Sequence, residues 1–332
     1  MDETSLWAWF LFRSGLPAQR AKALLAEWAA QQLTLAAALE GLPARAADRG
    51  LTPDEAARLR PPASLPTVRA LRWNESLYPR RLHSLPLKVR PALLFYLGET
   101  SLLLRPIVYL NPDILTPENE ETLREFISLL LGEYFLPAAF YGTRQAELLL
   151  EELAASEGDL LLFARRGLAQ LPLTEFERTL LAAQRLIIMT PLPPETPPNP
   201  AWDAVLSQVA LATAGYCVTV APPAAADPLL TPTVLLSSAP RLTLPAHVHA
   251  FSDAAEAVQW LTEGLGAALP PSAPVAAQRE SAWVDAPLDA APLGESLPPE
   301  PPLPPAEALR LLEARGQVPE VLRKRLLGAA SR

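Results

Sequence analysis

The chain is poor in cysteine, glycine and histidine. Cys217 is the one cysteine among 332 residues, which excludes an intramolecular disulfide and a cysteine-rich metal site and suits a reducing compartment. Glycine is outnumbered by proline, 14 to 38. No Gly-x-Gly-x-x-Gly, Walker or Gly-x-Ser-x-Gly sequence occurs. Such loops bring backbone amides up to a phosphate or an oxyanion, so their absence removes the usual dinucleotide, P-loop and serine-hydrolase chemistries. Of the 3 histidines, His247 and His249 would share one face of a strand, but a metal needs a third ligand and none is evident. His83 lies in a basic segment, where it titrates in solvent or touches an anion. Cys217 opens an apolar run and reads as a small buried hydrophobe. No apolar stretch reaches the ~18 residues of a membrane span. The first residues, MDETSLWAWFLF, are acidic where a secretory leader is basic. The expectation is a cytoplasmic protein that is not an enzyme and holds no cofactor or metal.

Against these absences stands a large apolar content: 50% of residues are hydrophobic, enough for a real core. Charge is uneven. Residues 1–100 carry 13 Lys and Arg against 9 Asp and Glu, leaving 15 of 28 against 27 of 36 for the remainder. An acidic body argues against a broad nucleic-acid groove, which runs on clustered Lys and Arg, but leaves room for a local basic patch.

Residues 1–62 read as a small all-helical module of the SAM or helix-hairpin-helix kind. Leu6, Trp9 and Phe10 fall at helical spacing, as do Ala21, Leu24, Leu25 and Trp28. Gly-Leu-Pro stretches at 15–17 and 41–43 read as turns. Thr52 is placed to cap a helix opening on Pro53, with Asp54 and Glu55 in its first turn. Residues 63–104 form a basic connector that ends in PALLFYLG, a strand candidate closed by Gly98. From 105 to 268 short apolar runs alternate with amphipathic stretches. Strands are expected at 107–110, 138–141, 160–163, 186–189, 217–220 and 234–236. A helix is expected over 117–131, with Leu123, Phe126, Ile127 and Leu130 on one face, and another carries Ala146, Leu149, Leu150 and Leu153. The class is α/β: a Rossmann-like, doubly wound, mostly parallel sheet with helices on both faces. Residues 269–305 form a proline-rich linker, with 11 prolines in the 36 positions from 270. Residues 306–332 are expected as a short helical tail.

The stretch RPIVYLNPDILTPENEE has the layout of a phosphate site, a buried strand running into a helix. Such a site works because unpaired N–H groups and the helix dipole favour an anion, and close approach needs glycine. Here the turn carries Asn111, Pro112 and Asp113. Thr116 caps the helix and Glu118, Glu120 and Glu121 occupy its first turns. An arriving phosphate meets like charge, and an ordinary well-capped helix is the better reading.

Basic residues fall in two places. Arg144, Arg165 and Arg166 lie just past strand ends, where open α/β sheets hold ligands. Either anion binding, nucleic-acid phosphate included, or surface solvation accounts for them. In the connector, Arg72, Arg80, Arg81, Lys88 and Arg90 are interleaved with Trp73 and Tyr78. That mixture suits single-stranded nucleic acid, held by charge and stacking, and equally suits a solvated segment.

The order of parts resembles the DNA-processing protein A (DprA/Smf) family. The carriers are LWAWFLFRSGLPAQRAKALLAEW, then LYPRRLHSLPLKVRPALLFYLG, then a Rossmann-like domain. The pattern YP…L…L…P…LFY.G is the most specific match, and the resemblance covers roughly residues 5–265. It implies single-stranded DNA binding and loading of a RecA-type recombinase in DNA uptake or recombination, and leaves a homodimer open. Family members carry Gly-Ser-Arg after the first Rossmann strand, where this chain has Asn111, Pro112 and Asp113. Of a Ser-Gly…Gly-Ile-Asp segment only Gly142 survives. Leu206, Ser207 and Gln208 stand for an Arg-Asn-Arg run, after a proline-rich approach, PLPPETPPNPAW, like the family's. The expectation is a divergent member with weakened DNA binding. Two alternatives remain: a non-catalytic scaffold that binds a protein partner or a paralogue, and a nucleotide-processing enzyme.

Overall fold

The structure, a computed structural model, describes residues 2–45, 50–221, 230–237 and 244–266. The expected proline-rich linker and helical tail lie outside the described residues. Four helices open the chain: α1 (Glu3–Phe12), α2 (Ala18–Ala30), α3 (Leu35–Arg45) and α4 (Pro53–Arg58). Asp2 caps α1 by accepting from the Ser5 amide at 2.8 Å. Thr52 and Glu55 close a capping box on α4, each satisfying an amide the helix leaves free. The second Gly-Leu-Pro stretch is not a turn. It lies inside α3, whose last residue, Arg45, comes two positions after Pro43.

The connector supplies two strands, β1 (Ala70–Arg72) and β2 (Leu93–Gly98), joined through a short 3-10 turn at Arg80–Ser84. Then come β3 (Ile107–Leu110), α5 (Pro117–Leu131), β4 (Leu136–Phe140), α6 (Arg144–Ala154), β5 (Leu160–Phe163), α7 (Glu175–Ala182), β6 (Leu186–Thr190), α8 (Asp203–Thr213), β7 (Tyr216–Thr219), β8 (Thr233–Leu236), β9 (Val248–Phe251) and α9 (Ala254–Gly266). The expected strands are present, with ends moved by one or two residues. β1 and β9 escape the sequence reading: one is three residues long, and the other spends its apolar alternation on His249.

The nine strands among the described residues form one sheet in the order β1-β2-β6-β5-β4-β3-β7-β8-β9. From β6 to β9 neighbouring strands are parallel; β2 pairs antiparallel with β6, and β1 with β2. Helices cover both faces, the doubly wound arrangement that near-continuous apolar strands require. The chain runs β3, β4, β5, β6 to one side, then crosses back to lay β7 on the other side of β3. The C-terminal ends of β3 and β7 therefore make the topological switch point, where such sheets open a crevice.

Residues 1–257 are one compact unit and 258–332 another, of which only the end of α9 is described. Within the first unit one core joins what the sequence divides into module, connector and sheet. Leu6, Trp28, Trp73, Phe95, Tyr109, Phe140 and Leu206 belong to a single buried cluster. Gly98 allows the antiparallel joint. Its φ is +98°, and a Cβ there would lie 2.1 Å from the Leu186 carbonyl oxygen.

Candidate nucleic-acid interface

At the switch point the chain supplies its own anion. The Asp113 carboxylate accepts from the Thr219 hydroxyl at 2.5 Å and the Val220 amide at 3.0 Å, both at the end of β7. Its other oxygen accepts from the Asn111 side-chain amide at 2.5 Å, and the Asn111 backbone amide donates to the Val218 carbonyl at 2.8 Å. From α6, Gln145 donates to the Asp113 carbonyl at 2.8 Å. The β7 amide and hydroxyl that would face a ligand are thus satisfied from within. At the head of α5, Thr116 caps the Asn119 amide at 3.3 Å, with Glu118 and Glu120 in the first turn. The carboxylates answer the dipole where a phosphate would otherwise sit.

Arg144 opens α6 after a left-handed turn at Gly142 (φ +75°). Its guanidinium binds Glu120 of α5 through two nitrogens, at 2.5 and 3.2 Å, and reaches Glu147 at 3.1 Å and Glu151 at 3.0 Å. These bonds, Glu120 first, push its pKa above the ordinary arginine range. Arg124 completes the clasp, meeting Glu151 at 2.7 Å and Glu152 at 3.0 Å. Arg144 serves to join α5 to α6, and its charge is matched before any ligand arrives.

Arg165 differs. The loop after β5 lies against the Pro193–Pro194 segment because Gly167 has no side chain; a Cβ there would meet two carbonyl oxygens at 2.2 Å. The Gly167 amide bonds the Thr196 carbonyl at 2.8 Å and the Ala169 amide bonds Pro194 at 2.9 Å. So held, the Arg165 guanidinium lies 4.4 Å over the Phe140 ring, a cation-π contact. The Asp203 carboxylate at the head of α8 is 3.9 Å from Nε, and Nε is buried without a hydrogen-bond partner among the described residues. Arg166 donates to the Gln170 carbonyl at 3.5 Å. The parallel register brings Arg144 and Arg165 to one rim, as the sequence expects, yet they diverge. Arg144 turns toward α5 and α6, and Arg165 turns toward α8 on the opposite face of the sheet.

The connector cations are woven into the fold. Arg72 pairs with Glu75 at 2.6 Å. Arg81 donates to the Ala214 carbonyl and, at 3.0 Å, to the Thr231 hydroxyl, tying the connector to β7 and β8. Arg90 donates to the carbonyls of His83 at 2.5 Å and Leu85 at 3.1 Å. Lys22 of α2 donates to the carbonyls of Leu87, Lys88 and Arg90, the last at 2.6 Å. Arg80 is half-buried and Lys88 is exposed. The burial of Trp73 and Tyr78 rules out the stacking that the sequence left open for them. Both are buried, Trp73 edge-on to Trp7 at 5.8 Å and Tyr78 bonded through its hydroxyl to the Pro91 carbonyl, so neither offers a face to a base.

On α8, Leu206 is buried in the core while Ser207 and Gln208 are half-buried. The sequence reading passed over Trp202, which ends a 3-10 turn (Pro200–Trp202) immediately before α8 and is 43% exposed. The apolar residue amid prolines carried a signal, but only the structure sets the residue after it, Asp203, against Arg165. His249 sits on β9. Among the described residues, no three His, Cys, Asp or Glu side chains gather as a metal would need, and no helix is long and apolar enough to cross a membrane.

Among solved structures the chain is similar to DNA processing protein A (DprA) from Streptococcus pneumoniae, with a TM-score of 0.54 at 16% identity, over 80% of this chain and 94% of that one. It also aligns with DNA processing protein A from Helicobacter pylori, the subject of a study of its single-stranded DNA binding mode, with a TM-score of 0.47 at 13% identity over 60% of this chain and 97% of that one. No family model matches the chain, and a search of curated proteins finds no match. The Streptococcus likeness establishes a DprA-like fold.

Proposed function

We propose that this chain is a non-enzymatic, cytoplasmic, DprA-like DNA-processing protein. In this reading it binds single-stranded DNA weakly and away from the β3–β7 crevice, and passes it to a RecA-type recombinase during DNA uptake or recombination. The observation that carries the reading is the DprA-like fold, which spans 94% of the Streptococcus pneumoniae protein's chain. The connector and helical-module sequences support it independently. The weakening rests on Asp113, which occupies the crevice from within, and on Arg144, whose charge the glutamates of α5 and α6 already match. Arg165 and Arg166 are the cations proposed to meet phosphates, with Lys88 and Arg80 as further contacts.

Titration of a labelled single-stranded oligonucleotide at low and moderate salt tests this. Affinity is expected to fall steeply with salt, and the combined variant Arg165→Ala, Arg166→Ala to flatten the salt slope by about two phosphate contacts. Absence of binding at low salt sinks the reading. It would favour a second one: a scaffold that keeps the fold to bind a protein partner or a paralogue. The structural use of Arg81 and Arg90, which leaves few cations for a polyanion, favours that alternative.

A further inference from the structure

We propose that Trp202 and Arg165 form a single-nucleotide subsite at the head of α8, in which the indole stacks a base and the guanidinium takes the adjoining phosphate. This inference rests on the DNA reading above and adds to it a base-dependent contact.

The two residues are linked through the head of α8. Asp203 follows Trp202 directly, and its carboxylate lies 3.9 Å from Arg165 Nε. The indole is 43% exposed. By contrast Trp7, Trp9, Trp28 and Trp73 are all buried in the core. An apolar ring of this size left in water at the rim of a sheet costs solvation that a flat ligand would recover. The Arg165 guanidinium lies 4.4 Å over the Phe140 ring, and among the described residues no acceptor reaches its buried Nε–H. The Asp203 contact is longer than a hydrogen bond, so an incoming phosphate oxygen displaces little.

Further in, the Tyr109 hydroxyl is buried without a partner among the described residues and feels the charges of both Arg165 and Asp113. Two unpartnered donors and an exposed indole call for a ligand that is flat on one side and anionic on the other. One unit of a single-stranded nucleic acid has that chemistry. Duplex DNA does not, because its bases are already stacked. Arg144, on the same rim, differs, since three carboxylates hold it.

The test uses the full chain with three labelled probes of equal length: a base-bearing single strand, an abasic single strand and a duplex. Trp202→Ala is expected to lower affinity for the base-bearing strand by about tenfold, with Trp202→Phe retaining most of it. Neither variant should change affinity for the abasic strand or alter the salt slope. Arg165→Ala should reduce that slope by about one while leaving the preference for bases over abasic sites in place. Because Trp202 is at the surface, unchanged circular dichroism is expected for both of its variants. Equal binding of wild type and Trp202→Ala to the base-bearing strand overturns the subsite and leaves the DNA reading intact. Failure of wild type to bind any single strand overturns both.

Discussion

Asp113 does at the β3–β7 crevice what a bound anion does in a glycine-lined one. It accepts from the Val220 amide and the Thr219 hydroxyl. Removing it takes the acceptor from the Val220 amide, while the Thr219 hydroxyl keeps the Ala221 carbonyl at 2.6 Å. Asp113→Ala is therefore expected to cost about 1–3 kcal/mol in urea unfolding, and Asp113→Asn less, because one oxygen remains. Sulfate should then stabilise Asp113→Ala more than wild type, since an external anion can enter the vacated place. Equal stabilisation of the two would show that the carboxylate is no surrogate.

Lys22 is a second residue whose environment has a measurable consequence. Burial, and then the Arg90 charge, lower its pKa from 10.5 to about 8. Between those two values the folded chain has released a proton that the unfolded chain still holds. Unfolding then takes up a proton, so the Lys22 contribution to stability rises as pH climbs from about 8 to 10.5. The difference in unfolding free energy between wild type and Lys22→Met should grow in favour of wild type across that window. Parallel pH curves would refute the assignment.

At the scale of elements, the sheet depends on one backbone approach. β2 runs antiparallel against β6, and the joint brings Gly98 onto the Leu186 carbonyl with a positive φ. The obstacle to a Cβ is backbone, which cannot swing aside as a long side chain can. Gly98→Ala should destabilise by about 3 kcal/mol or more, read as a loss of urea midpoint at unchanged m-value. Gly142 makes a useful control. It also has positive φ, but no atom lies within 4 Å of its would-be Cβ, so Gly142→Ala should cost only the conformational strain of about 1–2 kcal/mol. The helices α5 and α6 are held by the exposed clasp of Arg124 and Arg144 with four glutamates, an arrangement that salt weakens.

For the molecule as a whole, the N-terminal helices and the sheet share one core. The buried tryptophans of the helical module and connector pack in the same cluster as Phe95, Tyr109 and Phe140. They should therefore report the same unfolding event as the backbone of the sheet. Urea curves followed by tryptophan fluorescence and by far-ultraviolet circular dichroism are expected to coincide. A fluorescence transition that precedes the loss of sheet signal would show the helical module melting alone.

Much of this was legible along the chain. Apolar runs of four to five residues with helical stretches between them specified a covered parallel sheet, because only strands buried on both faces tolerate such continuity. Thr52, Thr116 and the prolines after them marked helix starts, since capping is a local matter of one side chain and the nearest amides. The acids of the β3–α5 turn likewise stood in the sequence, and Glu118 and Glu120 lie in the first turn of α5. What the sequence could not convey was which charges are spoken for. Arg144, Arg165 and Arg166 look alike as neighbours of strand ends. Only folding brings Glu120 of α5 to the first of them, where it joins Glu147 and Glu151 of α6, while the other two keep sparse partners. Trp73 and Trp202 are the same residue type in polar surroundings, yet tertiary packing buries one against Trp7 and leaves the other at the rim. Periodicity and capping act over a few residues and can be read in order. Burial and charge pairing act across dozens to over a hundred, so they were decided only when β3, β4, β5 and β7 came together.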